Sequence, residues 1–132
     1  MHPVFYSFCR YNGIPGNDDY GAMSSWLLFA SLGFYPNSGM DTFLIGSPRV
    51  ANATLQLNSY FPTGNSGNKK KDEINPTITV TSHNQGPGQY FVQRLLVNGE
   101  EWTTPFIKRS VLAKGATLEF SLSSDPEDHG LC

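Results

Sequence analysis

The sequence predicts a mostly β protein: a small antiparallel β-sandwich preceded by one helix of the buried type. The first indication is composition, since the 132 residues include 13 Gly and 9 Pro but only 15% charged residues, which is typical of turn-rich β proteins rather than helical bundles. The second is a single helical pattern before Pro36. The third is a series of short segments after Pro36. In several of these segments apolar and polar residues alternate, as they do in strands.

The first predicted element is a helix over residues 21–32. Asp18 or Asp19 can cap its start by accepting hydrogen bonds from free backbone N–H groups. Gly33 stands where a left-handed residue commonly ends a helix. The helix is apolar nearly all round, interrupted by only three serines. A helix of this composition is normally buried among other elements, and Trp26 within it is predicted to pack in a core.

After residue 36 the pattern predicts strands, and Trp102 on one of them is predicted to lie in the sandwich core. The predicted strands are residues 42–45, 53–58, 77–82, 90–97, 101–107 and 117–123. Between 97 and 100, Asn98 and Gly99 predict a tight hairpin because both tolerate positive φ. Residues 62–75, rich in Gly, Asn, Ser and Lys, predict a loop. Residues 1–36 therefore differ in pattern from residues 37–132.

Charge, hydropathy and cysteine content exclude several classes of protein. The net charge of −2 argues against a nucleic-acid partner, which needs a basic face. No apolar stretch has the length of a membrane span, so no membrane partner is expected. Two cysteines are too few for a scaffold built on disulfides. The first residues lack a signal-peptide pattern, but Asn52-Ala53-Thr54 is an acceptor triplet for glycosylation and hints at a secretory origin.

The segment with the most chemical information is Gly13-Ile14-Pro15-Gly16-Asn17-Asp18-Asp19-Tyr20-Gly21-Ala22-Met23-Ser24-Ser25-Trp26. Its two adjacent carboxylates precede the helix and lie between glycines. Spacing alone favours a structural interpretation, in which they are helix caps stabilised by the helix dipole. A carboxylate at a loop tip can also activate water or bind a cation. The segment lacks the alternating acidic ligands of a helix–loop–helix calcium site, and the chain has neither a Gly-x-Ser-x-Gly nucleophile motif nor histidines at metal-ligand spacing.

At these residues the sequence resembles glycoside hydrolase family 92, the calcium-dependent exo-acting α-mannosidases. The resemblance continues through Leu32-Gly33-Phe34-Tyr35-Pro36 and Ile45-Gly46-Ser47-Pro48, and returns at Val97-Asn98-Gly99 and Gly115-Ala116-Thr117-Leu118-Glu119-Phe120. The family has an N-terminal β-sandwich, then an (α/α)₆ barrel, then further β structure. The resemblance implies that residues 1–36 are a remnant of the catalytic barrel with the active-site loop 13–21, and that 37–132 are the C-terminal β-sandwich region.

The resemblance also implies a reaction and roles for the loop. The reaction is hydrolysis with inversion, in which a carboxylic acid protonates the leaving oxygen and a carboxylate activates water from the opposite face. By position the general base falls on Asp19. Asn17, at a second candidate position, cannot act as a base and is expected to orient water or substrate, while Asp18 is expected to support the loop or the outer shell of calcium. Tyr20 and Gly16 are expected to contact the sugar.

Calcium is the cofactor that the family uses to bind and distort the terminal mannose, and no residue of this chain is assigned as its ligand. The general-acid glutamate, the rest of the barrel and the N-terminal sandwich are expected upstream of this sequence.

The sequence is thus interpreted as a C-terminal fragment of an inverting exo-α-mannosidase that removes terminal, α-1,2-linked mannose from glycans. The complete enzyme is expected in an extracellular or secretory location, and the fragment is expected to be inactive alone. One alternative is a non-catalytic, carbohydrate-binding or structural β-sandwich module. It rests on the absence of a partner acid, since Glu100, Glu101 and Glu119 lie on or beside strands with no reason to face Asp19. Another is a decayed copy that folds poorly and exposes its apolar helix.

Overall fold

The computed structural model describes residues 21–57 and 76–126, and most of its secondary structure is β-strand, as predicted. The predicted loop 62–75, both cysteines and the residues before Gly21 lie outside the described residues. In chain order the elements are α1 (Ala22–Leu32), β1 (Phe34–Pro36), β2 (Thr42–Ile45), β3 (Asn52–Gln56), β4 (Thr77–His83), β5 (Phe91–Val97), β6 (Glu100–Glu101), β7 (Phe106–Lys108), the single turn α2 (Arg109–Leu112) and β8 (Ala116–Ser123).

The strands form two sheets. One has three antiparallel strands in the order β1-β2-β7, and the other has five in the order β3-β4-β8-β5-β6. The five-stranded sheet is mixed rather than purely antiparallel, because β8 runs parallel to β4 and antiparallel to β5. The long connection from β4 to β8 passes through β5, β6, β7 and α2, and a connection of that length allows a parallel return.

Most predicted strands agree with the observed ones to within one or two residues. The exception is 101–107, which divides into β6 and β7 in different sheets. Pro105 lies between them and has no N–H to donate to a ladder, while its carbonyl oxygen accepts a hydrogen bond from the Ile45 N–H at 2.9 Å. The strand β1 and the turn α2 were not predicted.

The predicted hairpin between β5 and β6 is confirmed. Asn98 and Gly99 have φ of 55° and 84°, the positive values that a two-residue turn of this kind requires. Asn98 also joins the hairpin to β8, because its backbone N–H donates to the Thr117 carbonyl at 2.8 Å and its side-chain Oδ1 accepts from the Thr117 N–H at 2.9 Å.

The core is built from side chains of both sheets and the end of α1. Five side chains in it have no exposed surface: Val80, Leu95, Ile107, Leu118 and Phe120. Strand β8 supplies two of these, and it alternates buried with more exposed positions along its length, as a strand with one face on a core does. Trp102 is only half-buried; it packs against this core, and its indole N–H donates to the Phe106 carbonyl at 3.1 Å.

Candidate functional site

The predicted active-site loop meets the described structure at Gly21. This residue is the N-cap of α1 and has left-handed backbone angles, with φ 78° and ψ 20°. The predicted site residues lie just before it, outside the described residues, so their roles and the capping of α1 remain predictions: Gly16, Asn17, Asp18, Asp19 and Tyr20.

The start of α1 is a favourable place for a carboxylate in the preceding loop. The first turn of α1 contains no acidic residue, and Gly21 has no side chain to cap it. The backbone N–H groups of that turn carry the positive end of the helix dipole, equivalent to about half an elementary charge. Such a helix start favours a negatively charged group placed next to it.

The opposite end of α1 is anchored in a cluster of aromatic rings. The Phe29 ring lies 5.9 Å from Phe34, 6.1 Å from Phe43 and 6.4 Å from Tyr35, measured between ring centroids, in edge-on or tilted arrangements. Such pairs contribute roughly 0.5–1.5 kcal/mol each beyond their buried area. Leu32, the last residue of the helix, is buried in the core. The helix therefore begins at the predicted loop and ends fixed to the three-stranded sheet.

The turn after α1 holds this arrangement through a close approach of backbone. Gly33 has φ 83°, and a Cβ built on it would lie 2.9 Å from Pro48 Cδ and 3.0 Å from the Gly46 carbonyl oxygen. Its own carbonyl accepts a hydrogen bond from the Gly46 N–H at 2.9 Å. Two segments that carry the family resemblance, residues 32–36 and 45–48, thus meet at this turn.

The outer side of α1 is exposed. Trp26, Leu27 and Leu28 are 56%, 47% and 55% exposed. The prediction that Trp26 packs in a core is therefore wrong for the described chain, because α1 contacts the rest of the structure mainly through its C-terminal half and β1. A helix this apolar on its exposed side lacks a covering partner among residues 21–57 and 76–126.

An open groove of about 580 Å³ runs between α1, the β1–β2 pair and the segment 46–49. It contains the aromatic rings of Trp26, Tyr35 and Tyr90, together with Arg49. The Arg49 guanidinium lies 5.4 Å from the centroid of the Tyr90 ring, a cation–π distance. No carboxylate is among its described lining residues, so the described lining does not provide the two carboxyl groups that glycoside hydrolysis ordinarily uses.

The sequence pattern did not predict this groove. Arg49, Tyr35 and Tyr90 come from three separate segments. Tyr35 lies on β1 just after the turn at Gly33, the Arg49 N–H donates to the Ser31 carbonyl in the last turn of α1 at 2.9 Å, and the Arg49 guanidinium lies over the Tyr90 ring. The sequence has no local signal that these three segments meet.

The described acidic side chains are scattered, and all of them except the partly buried Glu119 are exposed. Glu101 pairs with Arg94 at 3.3 Å on the five-stranded sheet, and Asp41 lies 4.0 Å from Arg109; exposed pairs of this kind contribute little to stability. Glu100 and Glu119 also belong to the five-stranded sheet, whereas α1 packs beside β1 of the other sheet.

In the described ranges, no three His, Cys, Asp or Glu side chains come together as a metal site would require. These residues therefore do not fit a calcium ion on their own. The described helices also include none with the length and apolar character needed to cross a membrane.

The comparisons with known proteins place the chain among glycosidases. Residues 3–124 match the model of the glycosyl hydrolase family 92 catalytic domain. A protein of Arthroderma benhamiae described as an uncharacterized secreted glycosidase is 29% identical over 118 residues, which are 89% of this chain and 14% of that protein.

Solved structures agree. The family GH92 α-mannosidase BT3965 of Bacteroides thetaiotaomicron superposes with a TM-score of 0.71 at 26% identity, over 92% of this chain and 15% of that one. The inverting mannosidase BT2199 of the same species gives a TM-score of 0.66 at 29% identity, over 91% of this chain and 14% of that one. The fold and these matches define a glycoside hydrolase by family.

The chain belongs to glycosyl hydrolase family 92, which confirms the resemblance found in its sequence. It spans about one-seventh of the length of these relatives, 14% to 15%.

Proposed function

We propose that this chain is part of an inverting exo-α-mannosidase that removes terminal α-1,2-linked mannose from glycans, and that it is inactive alone. The observation that carries the proposal is the family match over residues 3–124, which includes the whole of loop 13–21. Support comes from two solved relatives: one is an inverting mannosidase, and another was solved in complex with mannoimidazole.

In the proposed mechanism Asp19 is the general base. It accepts a proton from water as the water oxygen attacks the anomeric carbon, on the face opposite the leaving oxygen. A glutamic acid elsewhere in the complete enzyme protonates the leaving oxygen, at a separation of roughly 6.5–9.5 Å that leaves room for the water. Asn17 orients the water or the sugar, Asp18 stabilises the loop, and Tyr20 and Gly16 contact the sugar.

The described structure supports this mechanism by fixing the C-terminal end of the helix that follows the loop in the chain. Helix α1 has 11 residues, so its start lies about 15 Å from the anchored end. A carboxylate that must meet a substrate within a fraction of an ångström benefits from being attached to a helix whose far end is fixed.

Calcium is proposed as the cofactor of the complete enzyme. When bound, it would hold the hydroxyl groups of the terminal mannose. The described acidic side chains form no cluster that could hold the ion by themselves.

We also propose that residues 1–36 come from the catalytic barrel and residues 37–132 from the C-terminal β region of the complete enzyme. The three-stranded sheet crosses this division, because β1 pairs with β2. The strand β1, which follows α1 and ends at residue 36, is therefore joined to the β region by strand pairing as well as by the chain.

The proposed location of the complete enzyme is extracellular or secretory. Its support is the secreted relative from Arthroderma benhamiae, and the acceptor triplet at Asn52 is compatible with it.

A second candidate is a non-catalytic module that binds carbohydrate. The groove with Trp26, Tyr35, Tyr90 and Arg49 favours it, because aromatic faces and a guanidinium group are suited to sugar rings and hydroxyls. Titration of the chain with mannose in the presence and absence of calcium separates the two. Saturable, calcium-dependent binding would favour the module, and no binding would favour the enzyme fragment.

The experiment that tests the enzyme proposal is Asp19→Ala in the complete enzyme. We expect kcat for an α-mannoside to fall about 10²–10⁴-fold, the usual contribution of a general base. In the unmodified enzyme, NMR should show that the mannose is first released as the β-anomer, as inversion requires. Asp18→Ala is the matched control and should lower kcat much less. Near-normal turnover of the Asp19 variant would exclude this residue as the base.

A further inference from the structure

Strand β3 presents the acceptor triplet Asn52-Ala53-Thr54 in a defined geometry. Its burial alternates, with Asn52, Thr54 and Gln56 exposed and the residues between them partly buried. Since side chains two residues apart in a strand share a face, the amide of Asn52 and the hydroxyl of Thr54 both lie on the outward face of the five-stranded sheet. Ala53 on the other face packs against the core.

The surroundings of Asn52 leave room for a large group. Among the described strands, β3 is the end strand of its sheet and pairs with β4 alone. Across the pair, Asn52 lies opposite Thr81, and Thr54 lies opposite Thr79. These neighbours are small and polar, so no bulky side chain of β4 covers the acceptor from that side.

We propose that Asn52 is an N-glycosylation site, a proposal that rests on the proposed secretory location. Glycosylation at an Asn-x-Ser/Thr triplet requires an accessible asparagine and a middle residue other than proline. The sequence contains one other asparagine with a hydroxyl residue two positions on, Asn75-Pro76-Thr77, and its middle proline excludes it. Asn52 is thus the one acceptor that the sequence provides.

The chemistry is a glycosyl transfer from an oligosaccharide carried on a lipid pyrophosphate. The side-chain nitrogen of Asn52 forms a bond to the anomeric carbon of the first sugar and loses a proton. The bond between that carbon and the pyrophosphate oxygen breaks, and the lipid pyrophosphate leaves with the electron pair. No oxidant or reductant is needed.

The test uses the complete gene product, expressed in a eukaryotic host behind a heterologous signal peptide. The tryptic peptide of residues 50–69 contains Asn52 and three asparagines that are not in a triplet: Asn58, Asn65 and Asn68. Release of the glycan by an N-glycosidase in heavy-oxygen water converts a glycosylated asparagine to labelled aspartate. We expect label at Asn52 in most copies of this peptide, and none at Asn58 or Asn75.

Three variants make the test specific. Asn52→Gln and Thr54→Ala should abolish the label, and Thr54→Ser should retain it. The peptide is analysed both from the culture medium and from the membrane-enclosed secretory compartments of the cells. The label is therefore still measured for a variant that fails to leave the cell. An unlabelled Asn52 in both fractions of the unmodified protein would overturn the proposal. α-Mannosidase activity, measured on the same preparations, separates this outcome from a failure of the proposed function.

Discussion

At the scale of single residues, Gly33 links the helix to the sheet and no other residue type fits its position. Two separate requirements meet there. The backbone is left-handed, with φ 83°, which costs an L-residue with a side chain roughly 1–2 kcal/mol. The position of a Cβ is also occupied, since Pro48 Cδ would lie 2.9 Å away. Residues 32–36 and 45–48 therefore pack together in a way that leaves no space for a side chain at residue 33.

Gly33→Ala should lower the free energy of unfolding by roughly 2–5 kcal/mol, the sum of the backbone cost and about 1–3 kcal/mol for overpacking. Gly39→Ala is a matched control, because Gly39 is also left-handed, with φ 75°, and has no atom within 4 Å of its Cβ position. It should show only the backbone cost. Urea titration followed by circular dichroism measures both, and equal losses would mean that the contact with Pro48 has no energetic weight.

At the scale of elements, α1 has two ends with different surroundings. Its C-terminal end is fixed by Phe29, Leu32 and the turn at Gly33, while Trp26 and Leu28 nearer its start are more than half exposed. In water this exposed apolar surface is unfavourable by about 25 cal/mol per Å². The proposed place of α1 in a helical barrel would remove that cost, because neighbouring helices would cover the exposed side.

Leu28→Gln should therefore act in opposite directions in two contexts. In the 132-residue chain it should reduce binding of a hydrophobic dye and leave or raise the soluble yield, because the side chain is 55% exposed. In the complete enzyme it should lower stability by about 2–5 kcal/mol, as loss of a buried leucine does.

Met40→Gln, at an apolar position 69% exposed in the turn after β1, is the control and should change stability by no more than about 0.5 kcal/mol. An unchanged melting temperature of the complete enzyme with Leu28→Gln would argue against a covered α1.

Sequence patterns could predict elements whose signals are local. The helix ends where Gly33 provides a left-handed residue, and the β5–β6 hairpin forms where Asn98 and Gly99 accept positive φ. The three residues of β1 are too few to show a period, and the division of 101–107 depends on which sheet each half joins. The parallel pairing of β8 with β4 depends on contacts distant in the chain, which local patterns do not encode.

The candidate site was predictable to a smaller degree. Asp19 was assigned by resemblance to the family motif, because spacing alone favoured a helix cap. What local patterns could not provide is how the C-terminal end of α1 is held, since the rings of Phe29, Phe34 and Phe43 come from three elements. This packing was therefore found only in the structure.

At the scale of the whole molecule, the chain matches only a small part of each of its relatives. It spans 14% to 15% of the relatives that it matches, and its described carboxylates neither cluster nor line the groove beside α1. Inversion needs two carboxyl groups on opposite faces of the sugar. The proposed base lies in loop 13–21, and its partner is expected in another part of the complete enzyme.

The purified 132-residue chain should therefore release no mannose from an α-mannoside above the background rate, with or without calcium. The measurement is a timed assay of free mannose, with the complete enzyme as the positive control under identical conditions. A saturable rate from the chain alone that disappears in its own Asp19→Ala variant would contradict the proposal that a distant acid is required.

The central place of β8 has a consequence for the order of events during biosynthesis. This strand lies between β4 and β5 and contributes Leu118 and Phe120 to the core, yet it is the last strand of the described chain to be synthesised. The ribosome therefore releases β3, β4, β5 and β6 before the strand that joins them exists. Until residue 123 has emerged, β3 can pair with β4 and β5 with β6, but the complete strand that joins the two pairs is not yet present. A nascent chain at that stage exposes unpaired strand edges, so its folding should depend on translation continuing through β8 without a pause.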